Sequence, residues 1–277
     1  GGARMTAHPL FDPVAAGRPM RVAAFMSGSG TNIIKLLEHE RRLWDREGAS
    51  PFEVAIIFSD RSDGGSRGEA IALDHALPYC SYDIRAFHAQ RSLKRSVKTP
   101  EGLKARRTYD QVAKRLVAAF DVDVIALGGY MSYVTLNRCV NVHPADLSIL
   151  DEQGNRKYVG DHAVRDAILA GEKTLRASTL WTDEGVDTGP LLMVSKPVPV
   201  ELPKPVDRVV EYKVRFQEVV DAHQERLKEA GDWRIFPRSI ELIARGRFSL
   251  DHKGRIFLDG KPVPGGYREE EVEKIRR

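Results

Sequence analysis

Three short segments of the chain carry residue types that can do chemistry. The first is Met26-Ser27-Gly28-Ser29-Gly30-Thr31-Asn32, where an apolar run ends and a helical pattern begins. Glycines let the backbone turn tightly, and the first N–H groups of a helix, at the positive end of its dipole, receive an anion. Phosphate is the natural guest. The glycine spacing differs from the dinucleotide fingerprint, and the Gly-Lys-Ser/Thr triplet of the Walker loop is absent. A structural strand-to-helix turn fits the same residues.

The second segment is Asn141-Val142-His143-Pro144. Side chains alternate along a strand, so Asn141 and His143 share a face, and Pro144 ends the strand just beyond them. An amide donor then stands beside an acid-base imidazole at the carboxyl end of a strand, where open α/β sheets keep their sites. In isolation, such a pair also fits two satisfied structural side chains. The third segment is Asp183-Glu184-Gly185-Val186-Asp187-Thr188-Gly189-Pro190. Its glycines permit a tight backbone that presents peptide groups to a planar ligand, and Asp187 is the candidate partner of His143. An acidic hairpin turn is the plain alternative.

Positioning these segments takes an alternation of strands and helices, the pattern of parallel βαβ units. Strands are predicted at residues 21–26, 52–58, 77–82, 123–127 and 139–143, with helices starting at Thr31 and spanning residues 162–169. In the helix before the fourth strand, Leu103, Tyr109, Val112, Leu116 and Phe120 recur at helical spacing and predict its packing face. After Lys173, two extended runs, 175–181 and 191–200, are joined by a glycine-containing turn. A charged helix over 205–230, a shorter one after Pro237 and a hairpin of 247–250 with 255–258, turned at Lys253-Gly254, complete the prediction. The expected fold class is α/β: a mostly parallel Rossmann-like sheet flanked by helices, with a C-terminal antiparallel elaboration. Residues 1–19 form a tail whose Gly1-Gly2 reads as a cloning remnant. Residues 20–277 read as one domain, a phosphate-binding half to about residue 125 and a catalytic half beyond.

Composition narrows the class. With 42% hydrophobic and 30% charged residues, the 277-residue chain can bury a substantial core, which excludes disordered and fibrous proteins. Its apolar runs are far short of the roughly 20 residues that cross a bilayer, and residues 1–19 lack the pattern of a secretory leader. A net charge of +4 suits anionic small molecules without demanding nucleic acid. Cys80 and Cys139 have no metal-ligand spacing and read as two buried thiols of a cytoplasmic protein. From Arg85 to Arg107 stand eight Lys/Arg against one acidic residue, Glu101. This stretch reads as an exposed insertion, either a solvated basic surface or a face for a polyanion such as tRNA or a polyglutamylated cofactor.

Together and in this order, the segments resemble the folate-dependent glycinamide ribonucleotide formyltransferase family, from about Arg21 to about Tyr267. The resemblance rests on Ser27 to Asn32, Gly129-Tyr130-Met131, Asn141 to Pro144, Asp187 to Pro190, Ile235-Phe236-Pro237 and Leu258 to Lys261. It implies formyl transfer from 10-formyltetrahydrofolate, the cosubstrate, to the amine of glycinamide ribonucleotide in purine biosynthesis, with no metal. It implies a catalytic trio of Asn141, His143 and Asp187. Gly30, Thr31 and Asn32 would receive the ribose phosphate and Asp232 would contact the substrate. Met131, Ser132, Tyr133 and Val134 would hold the pterin, with Asn141 also beside the cofactor and Arg106 as a nearby basic residue. A tetrahedral oxyanion would be stabilised by Asn141 and a protonated His143 supported by Asp187.

Two departures stand out. The family usually has Arg where Ser132 stands, and a Leu-Pro-x-Tyr-Pro-Gly loop where this chain runs from Leu147 to Gly160 with extra residues and no proline. Other readings stay open: a formyltransferase acting on a sugar nucleotide or an aminoacyl-tRNA, a 10-formyltetrahydrofolate hydrolase, or a silent folate- or nucleotide-binding module. The related hydrolases usually carry an N-terminal regulatory domain, for which residues 1–20 are too few. The expected partner is a small phosphorylated amine, with neither membrane nor nucleic acid, in a monomer or homodimer.

Overall fold

The computed structural model describes residues 7–203 and 209–270. Residues 1–6 of the expected tail and 205–208 of the expected charged helix lie outside the described residues. The chain divides into two compact units: Pro9–Asn141 with Ile240–Arg247, and Gly1–His8 with Val142–Ser239 and Phe248–Arg277.

The first unit is built on β1 (Met20–Met26), β2 (Phe52–Ser59), β3 (Tyr79–Ser81), β4 (Val124–Leu127) and the first three residues of β5 (Cys139–His143). Their order is β5-β4-β1-β2-β3, and each pairing is parallel. Val22 through Met26 are all buried, the continuous apolar run of a strand covered on both faces. Chain direction across the sheet reverses between β1 and β4, and such a switch point opens a crevice at the carboxyl ends of its two strands. There the residues following each strand meet: Ser27 N donates to Gly129 O at 3.1 Å.

Helices α1 (Thr31–Glu47), α2 (Gly68–Asp74), α3 (Ile84–Gln90) and α4 (Pro100–Ala119) complete this unit. Thr99 caps α4 by accepting from Gly102 N, and Pro100 opens the helix, where its missing N–H costs nothing. The fully buried seam of α4 includes Ala105, Arg106, Tyr109, Asp110 and Ala113, so it shares Tyr109 with the predicted face and adds two charged residues. Of the expected residues only Tyr109 is buried; Leu103, Val112, Leu116 and Phe120 are half-buried. Leu116 and Phe120 still pack against the core from half-buried positions, while the charged Arg106 and Asp110 turn inward beside Tyr109. The expected exposed insertion is corrected in the same way: residues 91–96 are exposed, but Phe87, His88 and Arg106 are buried. Cys139 is buried as expected, whereas Cys80 is only half-buried because β3 is the last strand of its sheet.

The second unit carries β6 (Thr174–Leu175), β7 (Ser178–Trp181), β8 (Leu191–Val194) and β9 (Val198–Pro199). The two long extended runs are therefore each broken. At the break Ser195 N donates to Ala177 O, and Ser195 Oγ accepts from Ala177 N at 2.8 Å, so a side chain replaces part of the ladder. The strands β7 and β8 pair antiparallel. Helix α5 (Ala163–Leu169) starts after His162, and α6 (Val209–Leu227) passes through a π-helical turn, Lys228–Asp232, into α7 (Trp233–Ala244). The helix expected to follow Pro237 thus begins at Trp233 and holds Pro237 inside it, where proline gives up the bond to the carbonyl four residues back and crowds that carbonyl with its ring.

The predicted hairpin is β10 (Phe248–Leu250) with β11 (Ile256–Leu258), extended by β12 (Lys261–Pro262) into an antiparallel meander. Last comes β13 (Tyr267–Arg268), parallel to β8. The fold class is the expected one, α/β with an antiparallel C-terminal elaboration.

Candidate active site

Gly30 sits in the left-handed region (φ +68°) immediately before α1, and no side chain caps that helix start. The left-handed conformation favours glycine here, and a Cβ, 2.5 Å from Ile71 Cδ1 and 2.8 Å from Met26 Cε, would have to push those two side-chain ends aside. Thr31 is half-buried and Asn32 buried in the first turn. Arg67 N donates to Gly28 O at 2.9 Å, tying the loop to the start of α2. An uncapped helix start behind a glycine turn has N–H groups of the kind that can receive an anion.

In the same unit, the irregular segment after β4 is anchored almost residue by residue. Met131 N donates to Ser27 Oγ (2.9 Å) and Ser132 Oγ to Asp60 Oδ2 (2.5 Å). Tyr133 O accepts from Arg106 Nη1 (2.9 Å), and Thr135 gives both its N–H (2.8 Å) and its hydroxyl (2.7 Å) to Asp110 Oδ2. Arg106 and Asp110, one helical turn apart on α4, thus hold opposite ends of one stretch. Burial pulls the Arg106 guanidinium down from its usual range and pushes the Asp110 carboxyl up, against the two Thr135 bonds. Arg106 therefore joins the Met131–Val134 segment, while the Met131 side chain stays exposed.

In the second unit, His143 and Asp187 come together. The imidazole Nδ1 is 3.5 Å from Asp187 Oδ2, and both side chains are about nine-tenths buried. The other ring nitrogen, Nε2, lies 2.8 Å from Tyr158 O; a carbonyl only accepts, so Nε2 carries a proton. Asp187 Oδ2 also accepts from Gly160 N at 2.8 Å. Asp187 is in the left-handed region (φ +56°), and Arg156 Nη1 donates to the carbonyls of Asp187 (2.7 Å) and Gly189 (2.6 Å). Asn141, half-buried, stands two residues before His143 on β5. Asp232 is buried at the end of the π-helical turn.

Sequence reasoning missed Asp60, Asp110, Arg156, Tyr158 and Gly160. Asp60 had a signal, a charged residue directly after an apolar strand at the end of the sheet where sites form. The others had none, because their partners are remote in sequence.

Against known proteins, the formyl transferase family model matches residues 20–222, nearly three quarters of the chain. The chain belongs to the formyl transferase family. Among its relatives is the phosphoribosylglycinamide formyltransferase of Haemophilus influenzae, 25% identical over 90% of this chain and 99% of that one. The trifunctional purine biosynthetic protein adenosine-3 of Drosophila melanogaster is 27% identical over 83% of this formyl transferase chain, which spans 14% of its length. A solved glycinamide ribonucleotide transformylase from Symbiobacterium toebii superposes with TM-score 0.61 at 25% identity, covering 87% of this chain and 95% of that one. A formyltetrahydrofolate deformylase from Pseudomonas syringae shares the fold, with TM-score 0.55 at 20% identity over 88% of this chain and 67% of that one. Among the described residues of this family member, no helix is long and apolar enough to cross a membrane.

Proposed function

We propose that this formyl transferase family chain moves the formyl group of 10-formyltetrahydrofolate to the amine of glycinamide ribonucleotide, a step of purine biosynthesis. The observation that carries the reading is the buried His143–Asp187 pair, two residues beyond Asn141 at the carboxyl end of a strand. The relatives' names and the open helix start at Gly30 add the substrate class.

In this reading the amine attacks the formyl carbon, and the carbonyl oxygen becomes an oxyanion in a tetrahedral intermediate. The Asn141 amide and the His143 imidazolium donate to that oxygen. With Nε2–H committed to Tyr158 O, Nδ1, 3.5 Å from Asp187 Oδ2 and not in a tight hydrogen bond, is the ring position left to donate to a developing anion. Asp187, beside the ring, takes part through water in relaying the amine proton. Gly30, Thr31 and Asn32 bind the phosphate and Asp232 contacts the substrate. The stapled segment Met131–Val134 fits a flat ring system that needs a rigid wall, with Arg106 behind it.

A coupled assay of the purified chain with 10-formyltetrahydrofolate and a panel of phosphorylated amines tests this. Transfer to glycinamide ribonucleotide and not to its dephosphorylated form is expected. Release of formate without any amine would assign hydrolysis instead, and transfer to a sugar nucleotide or aminoacyl-tRNA would change the acceptor.

A further inference from the structure

The stretch from Arg156 to Gly160 meets the His143–Asp187 pair at every second residue. Arg156 holds the Asp187 and Gly189 carbonyls, Tyr158 O takes His143 Nε2, and Gly160 N reaches Asp187 Oδ2. Of these contacts, those of Tyr158 and Gly160 come from backbone groups that any sequence can supply. The Arg156 contact comes from a side chain, in the part of the chain where the prolines of the resembled family are missing.

Two features make that contact necessary. Asp187 occupies a left-handed backbone conformation (φ +56°), uncommon for residues with a Cβ though commonest among them for Asp, Asn and His, and its carbonyl is oriented by that turn. Two residues on, the backbone of Gly189 passes so close to Trp181 that an added Cβ would lie 1.9 Å from its carbonyl oxygen. The turn is therefore pinned on one side by contact and on the other by a single guanidinium nitrogen, whose two protons serve two carbonyls at 2.7 and 2.6 Å. Arg156 is itself fixed by a β-bridge to Leu150. Proline stiffens a loop through its own ring; here a cross-loop, charge-assisted pair of bonds does so from outside.

We infer that Arg156 is the positioning residue of the pair: its guanidinium holds the turn that aims the Asp187 carboxylate at His143. The inference rests on the proposed roles of His143 and Asp187. Its consequence is specific, because the residue acts only through Asp187 and touches no reacting atom.

Arg156→Met keeps the stem and removes the donors, whereas Arg156→Lys keeps an ammonium with protons for both carbonyls. In the formyl transfer assay, Arg156→Met is expected to lower kcat by ~10- to 100-fold, the scale of a slight misplacement of a catalytic group. KM for both substrates should stay within about twofold, as for a loss confined to the transition state. Arg156→Lys should recover most of the rate. The double variant Arg156→Met/Asp187→Asn should be no slower than Asp187→Asn alone. Independently of activity, the His143 ring resonances in an NMR spectrum should move in Arg156→Met toward their positions in Asp187→Asn, and stay in place in Arg156→Lys.

Unmoved His143 resonances in a folded Arg156→Met, or rate losses that multiply in the double variant, overturn the inference. If Arg156→Met does not fold, displaced His143 resonances in Arg156→Lys do the same. A wild-type chain with no formyl transfer would end the proposed reaction, while the resonances would still decide whether Arg156 orients the pair.

Discussion

Tyr158 takes one nitrogen of His143 through its backbone carbonyl at 2.8 Å, leaving the other, Nδ1, facing the Asp187 carboxylate across 3.5 Å. The pair is oriented without being locked. His143→Ala is therefore expected to lower kcat by about 100-fold or more, the usual loss for one oxyanion donor. Asn141→Ala should fall in the same range. Steady-state kinetics check both, and a near-normal rate in His143→Ala would make the imidazole structural.

Gly30→Val should act on the phosphate subsite. The left-handed backbone strains any residue with a Cβ, at a cost of about 1–3 kcal/mol, and the added side chain must displace Ile71 Cδ1, 2.5 Å from the Cβ position. Calorimetric titration should show weakened binding of the phosphorylated amine and nearly unchanged binding of the formyl donor. Equal losses for both would separate the loop from the phosphate.

The basic stretch divides into a surface and an anchor. Lys94, Arg95 and Lys98 are exposed, so neutralising all three should leave kcat within about threefold, as for solvated charges. Arg106→Leu removes the donor to Tyr133 O from a buried position and should raise KM for the formyl donor more than for the amine. A collapse of kcat in the triple variant with the fold retained would instead place Lys94, Arg95 and Lys98 over the site.

Glu40 gives the chain a pH-dependent liability. Burial pushes its carboxyl from the ordinary 4.5 up to about 7, although its side chain accepts from Val54 N at 2.8 Å. A group with a higher pKa when folded takes up a proton on folding between those two values, so stability falls as pH rises through them. Glu40→Gln keeps a carbonyl acceptor for Val54 and carries no charge. Its Tm should exceed that of the wild type at pH 8, and the difference should vanish near pH 4.5. A constant difference at both pH values would assign the effect to packing.

Much of the architecture is legible because it is local. Gly28 and Gly30 mark the turn into α1, and alternation in Asn141-Val142-His143 marks β5, since both follow from neighbouring residues. What escapes is the long-range polar layer. Arg106 and Asp110 look like the outer face of α4 by charge, yet point inward because Tyr133 O and Thr135 supply their partners. Hydrophobic period cannot report such an exchange. Likewise Arg156 and Asp187 stand 31 residues apart in the chain, and nothing in either sequence neighbourhood foretells their contact.

The segment Gly129–Thr135 has no regular secondary structure, and a stretch of that kind ordinarily exchanges its amide hydrogens with solvent within moments. Here the amides of Met131 and Thr135 point at Ser27 and Asp110 side chains. Their deuterium uptake should be as slow as in the adjoining strand β4, so the segment opens only when the sheet beneath it opens. A wall of this kind is ready before any ligand arrives, and binding against it spends little on ordering the protein.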